Sequence, residues 1–155
     1  MVGIKENQKP RVLILADMDA AFQEDGAYVI RCPSRQIWDG YGSFIRGVLI
    51  LVYKLKIDQI EVIWTDGKSG LEQWKELMRK HGISEECLND SNYLLKYLHG
   101  LDPSRWFGEQ SALEDVRDTV TLLQQHPLLP KNIMVKGYLL MKERKQLISL
   151  KELSG

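Results

Sequence analysis

The chain has 155 residues, of which 44% are hydrophobic and 27% are charged, a composition typical of one globular domain. Its 21 Lys and Arg balance its 21 Asp and Glu, so no excess of positive charge favours a nucleic-acid partner. Two Cys are too few for a disulfide framework, and the apolar run 48–53 is too short for membrane insertion. We therefore expect a cytoplasmic protein with an N-terminal arm at residues 1–10 and a single domain at 11–155.

Apolar runs alternate with helical patterns along the first half of the chain. The continuous apolar run 12–16 predicts a strand that is covered on both faces, and residues 27–31 predict a second strand. Residues 43–56 carry apolar side chains on several sides, which predicts a mostly buried helix. A third strand at 60–64 leads into an amphipathic helix at 71–80. The inward face of that helix is expected to comprise Leu71, Trp74, Leu77 and Met78.

The second half of the chain predicts two more helices and a hairpin. Ser84 is the expected start of a helix that reaches about His99, and residues 111–125 form the next. Two strands at 133–141 and 147–150, joined by a charged turn, are expected to pair at the sheet edge. Strands that alternate with helices predict an α/β fold, with a mainly parallel β-sheet flanked by helices and a C-terminal edge hairpin.

Polar residues follow two of these strands. Asp17 and Asp19 end the first strand, and Asp66 follows the third. In an open parallel sheet the carboxyl ends of the strands form the ligand crevice, so we expect these residues to share one site. Three carboxylates suit a hard cation such as Mg²⁺. The free N–H groups of the helix that begins near Ser69 suit a small anion.

Two further interpretations of Asp17-Met18-Asp19 remain open. The pattern resembles the start of a haloacid-dehalogenase-type phosphatase, with Asp17 as nucleophile and Asp19 as general acid. Ala21 stands where that pattern has Thr or Val. Alternatively, the two carboxylates accept backbone N–H bonds at the transition from strand to loop.

The His and Trp residues are interpreted as structural. No two His lie at metal-ligand spacing. Three of the four Trp are expected in the core or at an interface, and Trp64 is expected at a strand end in the crevice. The His are His81, His99 and His126, and the other Trp are Trp38, Trp74 and Trp106.

Taken in order, the segments DMDAA, VIRCPS, VIWTDGK and HPLLPKNIMVKGYLL resemble the β-class carbonic anhydrases. The similarity runs from about Arg11 to Leu150. In that family one strand ends in C-x-D-x-R, another ends in H-x-x-C-G, and a segment like HPxxP…V.G precedes a final hairpin. The resemblance implies the β-carbonic-anhydrase fold and a homodimer, with the helix at 43–56 or the loop before it near the interface.

The same resemblance places other residues at the zinc-ligand positions of the family. The two Cys positions hold Asp17 and Gly67, and the His position holds Trp64. Asp19 matches the family's Asp, whereas Ala21 replaces its Arg partner. Zinc in that family needs two thiolates and one imidazole, and catalysis needs zinc to lower the pKa of bound water to about 7. The resemblance therefore implies the fold without a zinc cofactor.

Two hypotheses for function follow. The first is a non-catalytic homologue with a binding, regulatory or structural role. One such role is in CO₂ or bicarbonate handling, with a protein partner in inorganic-carbon metabolism. The second is an enzyme with an altered site, which either holds a metal such as Mg²⁺ on Asp17, Asp19 and Asp66 or performs phosphatase-like chemistry at Asp17 and Asp19. The candidate anion-binding residues are Arg31, Arg35, Lys68 and Ser69.

Loss of a metal ion would leave buried negative charge at Asp17 and Asp19, which is costly unless it is paired or hydrogen-bonded. We therefore expect one of these carboxylates to contact a basic side chain or backbone N–H groups, with Trp64 filling part of the vacated volume. The candidate partners are Arg31, Arg35, Lys68 and the N–H groups near Gly67.

Overall fold

A computed structural model describes residues 9–37, 39–67, 71–108 and 110–154. Five strands form one sheet in the order β2-β1-β3-β4-β5. They are β1 (Val12–Asp17), β2 (Tyr28–Cys32), β3 (Gln59–Thr65), β4 (Met134–Met141) and β5 (Gln146–Ser149). The first four are parallel, and β5 pairs antiparallel with β4. The prediction of a mainly parallel sheet with a C-terminal edge hairpin is therefore confirmed.

Helices connect and flank the strands. They are α1 (Ser43–Leu55), α2 (Leu71–Lys80), α3 (Glu85–Tyr93), α4 (Pro103–Trp106), α5 (Ala112–Gln124) and α6 (Leu150–Ser154). The helix predicted from Ser84 continues beyond α3 as a π-helix, Leu94–Leu98. The last predicted strand stops at Ser149, because α6 begins at Leu150. In the part of the chain that the structure describes, no helix combines the length and apolarity needed to cross a bilayer.

The order of the strands positions the crevice. Strand β1 pairs with β2 on one side and with β3 on the other, so the sheet grows in opposite directions from β1. Ligands of open α/β sheets bind at such a switch point, beyond the carboxyl ends of the strands. Asp17 ends β1 and Thr65 ends β3, which places these two residues at the switch point.

The main core lies on one face of the sheet, beneath α1 and α5. Side chains along a strand alternate between faces, so Leu13 and Leu15 enter this core whereas Ile14 and Ala16 point to the other face. Helix residues complete it: Ile45, Val48 and Val52 from α1, and Val116, Val120 and Leu123 from α5. The apolar cluster on the opposite face is smaller. Its residues come from β1 to β4 and from the loop at residues 18–27.

The predicted inward face of α2 is wrong for two of its residues. Trp74 is 46% exposed and Leu77 is 49% exposed, and the side chain of Leu71 lies outside the described residues. Instead of facing the sheet, Trp74 packs on Trp106 and Phe107, with ring centroids 5.2 and 5.7 Å away. The amphipathic pattern predicted the helix correctly, but the partner of its apolar face is a short aromatic segment at the end of α4.

Candidate functional site

Asp17 is a buried hydrogen-bond acceptor at the end of β1. It is 7% exposed, and its Oδ2 accepts hydrogen bonds from the backbone N–H and the hydroxyl of Thr65, each at 2.7 Å. Its Oδ1 accepts the backbone N–H of Asp19 at 3.2 Å. This carboxylate therefore joins the ends of β1 and β3, and three protein donors occupy most of its roughly four acceptor positions.

Asp19 lies in a different environment. Its side chain is 77% exposed, and its Oδ2 lies 3.8 Å from the ammonium of Lys142 in the turn between β4 and β5. The two described candidate partners, Arg31 and Arg35, make other contacts, and Lys68 lies outside the described residues. The guanidinium of Arg31 donates to the main-chain carbonyls of Asp17 and Ala20, and its NH2 lies 3.9 Å from the carboxylate of Glu24.

Arg35 forms a buried ion pair with an acid that the sequence analysis did not single out. Its Nε lies 3.5 Å from Oδ2 of Asp115 on α5, and the two side chains are 6% and 1% exposed. Its NH1 also donates to the carbonyls of Thr65 at 2.6 Å and Gly67 at 3.0 Å. Arg35 thus ties the turn after β3 to α5.

Two amides complete the surroundings of Asp115. Gln36 donates to its Oδ2 and Gln110 to its Oδ1, each at 3.1 Å. Burial nevertheless raises the pKa of Asp115 to about 6, because lost hydration outweighs the attraction of Arg35 and the hydrogen bond from Gln36. An acid on the apolar face of α5 was a visible sequence signal, since Asp115 falls between the core residues Ala112 and Val116.

Asp115 should make stability depend on pH. Its pKa in the folded protein is about 6, against an ordinary 3.8. Between these values the folded state binds more protons than the unfolded state, so this group's stabilisation is full below about pH 4 and is lost as the pH rises through 6. Between about pH 4.5 and 7.5, the free energy of unfolding of the wild type should therefore fall by roughly 2 kcal/mol relative to that of the Asp115→Asn variant. Urea unfolding measures this difference. A free energy of unfolding that rises with pH in the wild type relative to the variant would contradict this assignment.

The residues that the resemblance places at the three zinc-ligand positions do not fit zinc. Asp17 is committed to Thr65. Trp64 is fully buried in the main core, where its indole Nε1 has no hydrogen-bond partner among the described residues, and an indole nitrogen is a donor only. Gly67 has no side chain and its backbone adopts φ +97°, a conformation that a Cys there would rarely adopt.

Cys32 lies beside Asp17 on the neighbouring strand but does not supply a missing thiolate. It is 1% exposed and belongs to the main core. Burial, with a smaller contribution from the charge of Asp17, raises the pKa of its thiol to about 12. Zinc binds the thiolate form, so a metal ion at this Cys would have to overcome the raised pKa.

The alternative magnesium site is also poorly formed. Oδ1 of Asp66 accepts the backbone N–H of Lys142 at 2.9 Å, so this acid fixes the hairpin turn. The ammonium of Lys142 lies 3.8 Å from Oδ2 of Asp19, so it would repel a dication at that carboxylate. Within residues 9–37, 39–67, 71–108 and 110–154, no three His, Cys, Asp or Glu side chains are grouped closely enough to hold a metal ion.

The crevice is a cleft of about 750 Å³ at the carboxyl edge of the sheet. Its lining includes Asp17, Asp19, Arg35 and the hairpin residues Lys142 and Glu143. It also includes an aromatic wall, which we define as Trp74, Trp106 and Phe107. Trp74 and Trp106 are 46% and 36% exposed, so neither is a core residue, and their expected place at an interface stays a prediction.

Several other candidate residues are placed differently. Lys68, Ser69 and Trp38 lie outside the described residues. Ala21 is exposed in the loop after β1. His126 is structural, since it is 4% exposed and its Nε2 lies 2.7 Å from the carbonyl of Gly40.

Comparisons with known proteins agree with the fold. The chain is 28% identical over 139 residues to "Putative carbonic anhydrase YvdA" and 29% identical over 114 residues to "Putative carbonic anhydrase YtiB", both of Bacillus subtilis. The alignments cover 86% and 70% of this chain. They cover 64% and 58% of the two relatives, so the chain spans about three fifths of their length. No protein-family model matches the chain.

Solved structures of lower sequence identity have a similar fold. The β-carbonic anhydrase isoform I of Trichomonas vaginalis matches with a TM-score of 0.67 and 20% identity, over 93% of this chain and 85% of that one. One of two tetrameric β-carbonic anhydrases of Sordaria macrospora matches with a TM-score of 0.56 and 14% identity, over 96% and 84%. The chain therefore has the β-carbonic-anhydrase fold, and the predicted resemblance to that family is confirmed.

Proposed function

We propose that this chain is a non-catalytic homologue of the β-carbonic anhydrases, which uses the cleft at its sheet edge to bind a ligand. One observation carries the proposal. The carboxylate of Asp17, which the resemblance places at the first zinc-ligand position, accepts hydrogen bonds from the N–H and hydroxyl of Thr65. A carboxylate that accepts hydrogen bonds from the protein's own backbone is less available to a metal ion. A link to CO₂ or bicarbonate handling rests on the relatives' names.

An altered enzyme is less well supported. A phosphatase nucleophile needs a free carboxylate oxygen directed at substrate, whereas both oxygens of Asp17 accept backbone or hydroxyl hydrogen bonds. For a magnesium enzyme, Lys142 already supplies positive charge at Asp19. Neither alternative has a contact that favours it over a binding role.

A CO₂ hydration assay tests the proposal. The protein is dialysed against Zn²⁺, then separately against Mg²⁺ or Mn²⁺, and hydration is followed by stopped flow. We expect rates equal to the uncatalysed background in each case, because no residue at the ligand positions can hold zinc and activate water. Hydration that zinc restores and a chelator removes would overturn the proposal. Activity that depends on magnesium or manganese would instead support the altered enzyme.

We further propose that the chain self-associates as a homodimer, with α1 or the loop before it near the interface. Tyr41 precedes α1 and is 73% exposed, and Tyr53 on α1 is 59% exposed. Exposed aromatic residues of this kind are enriched at interfaces. Light scattering at micromolar concentration should give the mass of a dimer, and Tyr41→Glu should shift it towards a monomer. A monomeric wild type would count against this assembly.

A further inference from the structure

We propose that the cleft binds a small organic cation, an amine or quaternary ammonium with an apolar body. This inference rests on the proposed binding role of the cleft and adds the chemical class of its ligand.

The aromatic wall provides the first argument. The ring centroids of Trp106 and Phe107 lie 4.8 Å apart at 84°, and Trp74 lies 5.2 Å from Trp106 at 50°. Rings tilted in this way form a concave surface rather than a flat stack. Trp74 and Trp106 remain substantially exposed and adjacent, and contiguous exposed apolar surface is a feature of ligand-binding grooves.

The charge of the cleft provides the second argument. The charged residues among the described lining are Asp17, Asp19, Asp66, Glu143, Arg35 and Lys142. The charge of Arg35 is balanced outside this set by Asp115. Two ammonium groups remain, that of Lys142 in the lining and that of Lys75 on the ring of Phe107. They are fewer than the four carboxylates, which leaves the described surroundings of the cleft negative. A small anion such as bicarbonate would meet this field unfavourably, whereas a cation would be attracted.

An internal contact supports the same ligand class. The ammonium of Lys75 lies 5.2 Å from the ring centroid of Phe107, within the range of a cation–π interaction. The aromatic wall thus already attracts one ammonium of the chain. Quaternary ammonium ligands are recognised by just such clusters of aromatic rings, and a cleft of about 750 Å³ has the size of a usual small-molecule site.

The test compares choline with its neutral isostere, 3,3-dimethyl-1-butanol. Binding to the full chain is measured by ligand-observed NMR and by tryptophan fluorescence at low and physiological salt. We expect choline to bind and the alcohol to bind at least about threefold more weakly, because only the cation gains from the rings. Equal binding of the two probes, or no binding of choline, would overturn the inference. Bicarbonate that competes with choline at lower concentration would also overturn it.

Variants locate the site. Trp74→Leu and Trp106→Leu should each weaken choline binding by about 3- to 30-fold, and Glu143→Gln should weaken it and reduce its dependence on salt. Tyr97→Leu is the matched control, since Tyr97 is 66% exposed on the π-helix. The affinity of this variant for choline should equal that of the wild type. An equal loss of choline affinity in all variants, or no loss in the Trp variants, would refute the placement of the choline site in the cleft. Zinc content and hydration are measured on the same samples, so a failure of the non-catalytic role is distinguished from a failure of the ligand class.

Discussion

Replacing Arg35 with methionine is expected to destabilise the protein by about 3–5 kcal/mol at pH 7.5. The change leaves Asp115 as an unpaired charge whose side chain is 1% exposed. It also removes the donor that the carbonyls of Thr65 and Gly67 share. Methionine keeps much of the side-chain volume, so packing alone would cost far less. Urea unfolding measures the loss.

Three comparisons separate the ion pair from other causes. The double variant Arg35→Met with Asp115→Leu should recover most of the loss, because no buried charge remains. Arg79→Met is the matched control: Arg79 pairs with Glu85 on the surface and is 39% exposed, so its removal should change stability by less than about 1 kcal/mol. The loss at Arg35 should shrink at pH 5, where Asp115 is largely neutral. Equal effects at Arg35 and Arg79 would contradict this account.

Asp17→Ala is expected to cost about 3 kcal/mol, because it leaves the N–H and hydroxyl of Thr65 buried without an acceptor. Asp17→Asn should cost less, since the amide oxygen can still accept one of these bonds. The urea midpoint reports both effects.

Asp19→Ala is the matched control for Asp17, two residues away in the same turn. The sequence analysis left open which of the two carboxylates is held by a stabilising contact, and the side chain of Asp19 is 77% exposed and 3.8 Å from Lys142. Its removal should change stability by no more than about 0.5 kcal/mol. A larger loss at Asp19 than at Asp17 would show that the buried network has been assigned to the wrong carboxylate.

The strands and most helices follow from local sequence patterns. The run 12–16 is continuous in apolar residues and forms β1 with both faces covered. Ser84 caps α3 by accepting the N–H of Cys87 at 3.1 Å, as the capping pattern predicted. These features depend on neighbours in the chain, so the sequence displays them directly.

The partners of the charged groups could not be predicted in the same way. Arg35 was identified as a candidate cation, but its choice of Asp115 depends on how α5 packs over β3, across 80 residues of sequence. Lys142 reaches Asp19 only because β4 lies beside β3 and its hairpin turns back over the crevice. The aromatic wall likewise joins α2 to α4, and α4 is too short to leave a periodic signal.

Zinc stoichiometry tests the central claim most directly. The purified chain is incubated with Zn²⁺ and a competing chelator of submicromolar affinity, and bound metal is counted after gel filtration. Because Asp17 is committed to Thr65, Trp64 offers only a buried donor and Gly67 has no ligating side chain, we predict far less than one zinc per chain. One zinc per chain, displaced only by stronger chelation, would contradict the account.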